Sequence, residues 1–112
     1  MSLNKDVSKK QENELAKFLG SHVVAGSGCG EFNCGDIEND DWLIECKTVT
    51  KPQTSFSVKK QWLDKIDEQA YEVGKSMNAL AFRFDPDGVD YMVISRDTFK
   101  LLMDLYNTYK DS

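Results

Sequence analysis

The chain has 112 residues, a length that fits one domain, and its 40% hydrophobic content supports a modest core. No apolar run approaches the roughly 20 residues that span a membrane, and Met1 to Asp6 lacks the pattern of a signal peptide. Three cysteines, an odd number, run against a disulfide framework and point to a reducing, cytoplasmic setting, while a net charge of −5 runs against a nucleic-acid binder.

Ser8-Lys9-Lys10-Gln11 has the spacing of a capping box. It predicts a helix from Ser8 to Leu19, closed by Gly20, with residues 1–7 frayed. Leu15, Phe18 and Leu19 form the apolar stripe, and Glu12 falls on the same inward side. An inward carboxylate is costly unless it is paired or binds a metal. The plainer alternative is a first-turn glutamate favoured by the helix dipole. His22 to Ala25 reads as a short strand, and Gly26 to Gly35 as a glycine-rich loop. Ser27 or backbone amides of that loop are placed to approach a phosphate. No Gly-Lys-Ser/Thr follows, so the loop is not a P-loop.

Gly35 to Ile37 and Trp42 to Lys47 flank a turn-rich centre, Asn39-Asp40-Asp41, and predict a β-hairpin. If Asp40 and Asp41 form a two-residue loop, Asn39 pairs with Trp42 and Asp36 stands opposite Glu45. Directly opposed residues have Cβ atoms about 5 Å apart on one face. Lys47 shares that face, whereas Ile44 and Cys46 point towards a core. Two carboxylates so placed repel unless neutralised. A divalent metal does this well, and hard oxygen ligands suit magnesium. Zinc is a poorer match. Cys29 and Cys34 have finger-like spacing, but Cys46 alternates away from the carboxylate face and His22 sits beside two valines.

The second strand of the hairpin runs through Val49 and stops at Lys51-Pro52-Gln53. Ser57 is then expected to cap a helix from Val58 to Val73, with Gly74 as its stop. Val58, Trp62, Leu63, Ile66, Ala70 and Val73 line one face. Lys59 and Lys60 in the first turn oppose the helix dipole, which suits a phosphate partner; the alternative is two solvated lysines. Met77 to Phe84 reads as a buried strand, Asp85-Pro86-Asp87-Gly88 as a turn, and Val89 to Ile94 as the returning strand. Ser95 caps a last helix with Phe99, Leu102, Met103 and Tyr106 inward; Phe99, Tyr106 and Tyr109 are expected in the core or at a dimer contact. The order αβββαββα predicts an α/β fold with a sheet of mixed pairing. Charge is segregated along it. Residues 28–45 hold six acidic groups and no Lys or Arg, and residues 46–65 hold five lysines against Asp64 alone. An acidic patch beside a basic one is what a metal-dependent nuclease needs, although charges also simply solvate surfaces.

Asp36 followed by Glu45-Cys46-Lys47 resembles the active site of the PD-(D/E)XK nuclease superfamily, with Gly35 where that family often has proline. The flanking segments, Gly26-Ser27-Gly28 and Ser55-Phe56-Ser57-Val58-Lys59-Lys60-Gln61-Trp62-Leu63, are similar to those of small Holliday-junction resolvase-like nucleases of phages and archaea. The resemblance covers about Glu12 to Phe84. It implies a restriction-endonuclease-like central sheet flanked by helices. It also implies that Asp36, Glu45 and the backbone carbonyl of Cys46 hold magnesium, or manganese in its place. By the same resemblance Glu12 contacts the ion or a second one through water. Lys47 orients the attacking water and stabilises charge on the scissile phosphate. Ser27, Lys51, Ser57, Lys59 and Lys60 are the residues expected to meet the DNA backbone.

The function this implies is metal-dependent hydrolysis of DNA phosphodiesters at a four-way junction. Cutting two symmetric strands would suit a C₂ homodimer. Two rivals remain: a nuclease-fold module that binds DNA or protein without activity, and a repair nuclease acting on unbranched DNA.

Overall fold

The computed structural model describes residues 3–24 and 35–112. Its elements are α1 (Leu3–Leu19), β1 (His22–Val23), β2 (Gly35–Glu38), β3 (Trp42–Lys47), α2 (Lys60–Glu72), β4 (Met77–Phe82), β5 (Tyr91–Val93) and α3 (Arg96–Lys110). This is the order expected from the sequence. The strands form one sheet in the order β1-β2-β3-β4-β5. All neighbours pair antiparallel except β3 and β4, which run parallel and are joined through α2.

The β2–β3 hairpin closes as its turn chemistry requires. Asn39 Oδ1 accepts from the amides of Asp41 (3.0 Å) and Trp42 (2.9 Å), and the Asn39 amide donates to the Trp42 carbonyl (3.1 Å). The β4–β5 turn repeats the device. Asp85 accepts from the Asp87 amide through Oδ1 (2.9 Å) and from the Gly88 amide through its carbonyl (2.8 Å). A Cβ on Gly88 would stand 3.2 Å from that carbonyl, so glycine fits there best. Gly20 (φ 64°) and Gly74 (φ 77°) end α1 and α2 in the left-handed region, where glycine is unstrained.

Alternation along β3 divides the core in two. Ile44 and Cys46 face α1 and pack with Leu15, Ala16, Ile37 and Ala79. Leu43 faces α2 and packs with Ile66 and Ala70. At the α1 side a buried ionic cluster ties the helix to the β4–β5 turn. Arg83, only 3% exposed, grips Asp90 with Nε and Nη2, each at 3.0 Å. It also pairs with Glu14 at 3.0 Å, while Gln11 Nε2 donates to Asp90 at 2.9 Å.

Several expectations need correction. Helix α1 begins at Leu3 rather than Ser8, because no breaker precedes Ser8; the buried Ser8 hydroxyl donates to Glu12 Oε2 at 3.1 Å instead of capping. Phe18 is 85% exposed, since α1 turns Leu15 and Ala16 to the sheet. Helix α2 starts at Lys60, with Lys59 extended and no side-chain cap, so Ser57 is not the cap. The cause is tertiary: Phe56 stacks on Phe82, ring centroids 4.6 Å apart, and holds the preceding segment in extended form. Val58, before the helix, is exposed, and so is Val73, its C-cap. Strands β3, β4 and β5 are shorter than expected at their ends. Ser95 does cap α3, accepting from the Thr98 amide at 3.1 Å, yet no residue of α3 is buried. Phe99, Leu102, Met103 and Tyr106 are therefore not core residues. No helix among the described residues is long and apolar enough to cross a membrane.

Candidate active site

The hairpin register places Asp36 directly opposite Glu45, as the two-residue turn predicts. Glu45 and Lys47, two apart on β3, share that face. Their neighbours on β4 are Leu80 and Phe82. Glu45 is 2% exposed, and Lys47 Nζ stands 3.3 Å from its Oε2. The ammonium also lies 4.5 Å from the centroid of the Trp62 ring. Lys47 is thus held between a buried carboxylate and an indole face, which fixes a side chain that is otherwise flexible. The same ring lies 5.6 Å from Lys59 Nζ, and Trp62 meets Phe56 with ring centroids 6.1 Å apart.

Asp36 is half-buried and its carboxyl is pushed up to about 6. Burial is the largest cause, and the negative charges of Glu45 and Glu12 add to it, against the opposing attraction of Lys65 and Lys47. Glu12 therefore acts on Asp36 from α1. Its own carboxyl is raised by burial, which outweighs the hydrogen bond from Ser8 and the charge of Lys9. Cys46 offers the site only its backbone. Its thiol lies fully buried in the core beneath α1, and burial pushes it well above the usual range.

The residues expected to meet a nucleic-acid backbone stand differently. Lys51, Ser57, Lys59 and Lys60 are all exposed. Lys60 pairs with Asp64 at 2.7 Å, one turn along α2. Lys59 leans over Trp62 beside Lys47, whereas Lys51 sits in the connection between β3 and α2. Ser27, Cys29, Cys34 and the glycine-rich loop lie outside the described residues. Sequence reasoning missed two contributors. Trp62 reads in the sequence as one more apolar residue of its helix, and Lys65 as one more surface charge. They lie three apart on α2, so helical spacing puts them on one side; what they face depends on how α2 crosses β3.

Among the described residues, no three His, Cys, Asp or Glu side chains converge tightly enough to enclose a cation by themselves. The donor set nonetheless fits magnesium, which keeps several waters of its own and takes one or two carboxylates. Asp36 and Glu45 supply hard oxygens, and the carboxyl of Asp36 is raised in part by negative charge that a cation would offset. No family model matches the chain, and neither a curated protein nor a solved structure does.

Proposed function

We propose that the chain is a metal-dependent DNA endonuclease of the restriction-endonuclease-like class, acting on branched four-way junctions. The observation that carries this reading is the cross-strand pair Asp36–Glu45 with Lys47 two residues on, ion-paired to Glu45. Magnesium or manganese held by Asp36, Glu45 and the Cys46 carbonyl, with Glu12 close by, would lower the pKa of an attacking water and screen the phosphate.

The chain's own residues do the rest. Lys47 presents an ammonium beside the carboxylates, where it orients a water and stabilises charge developing on the phosphate. Trp62 covers Lys47 and keeps bulk water from it, so that its charge acts through a less polar medium. Lys59, Lys60 and Lys51, exposed at and before the start of α2, meet backbone phosphates near the cut. Ser57 adds a neutral phosphate contact there.

A non-catalytic binding module is the second reading, favoured by the net charge of −5. The test is cleavage of a labelled four-way junction and a matched linear duplex, each with magnesium, with manganese and with chelator. Paired, metal-dependent nicks on the junction alone support the proposal. Cutting of both substrates keeps the nuclease and removes the junction preference. A folded protein that binds the junction and cuts neither substrate favours the module.

A further inference from the structure

Helix α3 is fifteen residues long, and none of them is buried. Phe99, Leu102, Met103, Tyr106 and Tyr109 recur along it at the three- and four-residue spacing of a single helical stripe. Such a stripe in an isolated helix gains little from propensity alone and is stabilised by burial against something. Beside it lies an apolar groove of about 350 Å³, lined by Leu19, Trp42, Ile44, Met92, Ile94 and Leu102. A second hollow, of about 360 Å³, continues it through Leu19 and Met92 to Phe18 and Val89.

We propose that this face is the interface between two copies of the chain, with α3 of each copy lying across the groove of the other. Among the described residues, one molecule carries both an apolar helix with no buried side chain and an apolar groove next to it. That self-complementarity is what a C₂ contact requires. The area agrees. Phe18, Phe99, Tyr106 and Tyr109 are each more than half exposed. At roughly 150–250 Å² per aromatic side chain they leave on the order of 500 Å² uncovered. Met103 on the same stripe and Val89 on the groove rim, also exposed, bring the face towards the roughly 800 Å² per partner of a standard interface. That exceeds the patch a lone monomer usually shows.

Charge also permits the pairing. From Arg96 to Asp111 the helix holds three basic and three acidic residues, and so is neutral in a chain of net charge −5. The second hollow adds Glu14 and Asp90, both ion-paired to Arg83, so little of the surplus negative charge stands unpaired on this face. The inference stands on α3 and its groove and is independent of the chemistry proposed above.

Sedimentation equilibrium on the full chain at micromolar concentration tests it. The expected wild-type mass is twice 12.7 kDa. Tyr106→Glu on the helix and Val89→Glu on the groove rim should each return the monomer mass with an unchanged far-UV CD spectrum. Both positions are exposed, so neither change disturbs a core. Glu45→Gln should remain dimeric, which separates this result from any outcome on cleavage. A monomeric wild type overturns the proposal, as does a dimer that survives both substitutions.

Discussion

Asp36→Asn isolates the electrostatic cost of the candidate site. In the folded chain the Asp36 carboxyl titrates at about 6, against an ordinary value of 3.8. Between those values the native state keeps a proton that the unfolded chain has released. Stability therefore falls as pH rises through this window, and the deficit is complete above about pH 6. A rise of about two pH units corresponds to roughly 3 kcal/mol. Asp36 is only half-buried, and solvent screening reduces this to about 1–2 kcal/mol. Asparagine is neutral at every pH and nearly isosteric. Asp36→Asn should thus be more stable than wild type at pH 8 by that amount, which is roughly 5–10 °C in Tm for a domain of this size. The difference should shrink to nothing near pH 4. Thermal melts followed by CD across this range, in chelator, read it directly. Added magnesium should raise the wild-type Tm more than that of the variant, which lacks one of the two carboxylates proposed to hold the ion. A variant less stable than wild type at pH 8, or an advantage that does not vary with pH, would refute the reasoning.

Glu12→Gln should lower turnover with little change in stability, since the carboxyl acts on Asp36 rather than on the core; unaltered turnover would make Glu12 an ordinary helix residue. Lys59→Ala combined with Lys60→Ala should weaken DNA binding and flatten the log–log salt dependence by about one to two units, since each neutralised phosphate accounts for roughly 0.9 of the slope. A slope that does not move would leave both lysines facing bulk solvent. Asp90→Ala should cost about 3 kcal/mol in urea unfolding, because it strips a buried guanidinium of its bidentate partner; Glu14 alone does not replace it. A loss under about 1 kcal/mol would mean that the Arg83 cluster is well hydrated.

What is legible in the chain and what is not divide along local and long-range lines. The hairpin and its register are legible because Asn39-Asp40-Asp41 is self-sufficient turn chemistry and the side-chain period of a strand is two. That alone puts Asp36 opposite Glu45 and turns Cys46 inward. The ends of α1 and α2 are legible for the same reason, as Gly20 and Gly74 carry their own conformational signal. The start of α2 is not. Ser57 has the chemistry of a cap, but the stack of Phe56 on Phe82 joins residues far apart in sequence and overrides it. The Arg83–Asp90 pair with Glu14 and Gln11, and the seat of Lys47 on Trp62, are likewise products of how helices cross the sheet. In α3 the apolar stripe is plain in the sequence, but its place in the core is not what the structure shows. Periodicity says that a stripe wants a partner and nothing about whether that partner is the same molecule.

The central claim is that Asp36, Glu45 and Lys47 form a hydrolytic centre for phosphodiesters. Single-turnover cleavage of a labelled four-way junction in magnesium, comparing wild type with Glu45→Gln and Lys47→Met, tests it most directly. The account predicts cleavage by wild type alone, with both variants retaining junction binding. Cleavage by Glu45→Gln at the wild-type rate, with the same products, would contradict it.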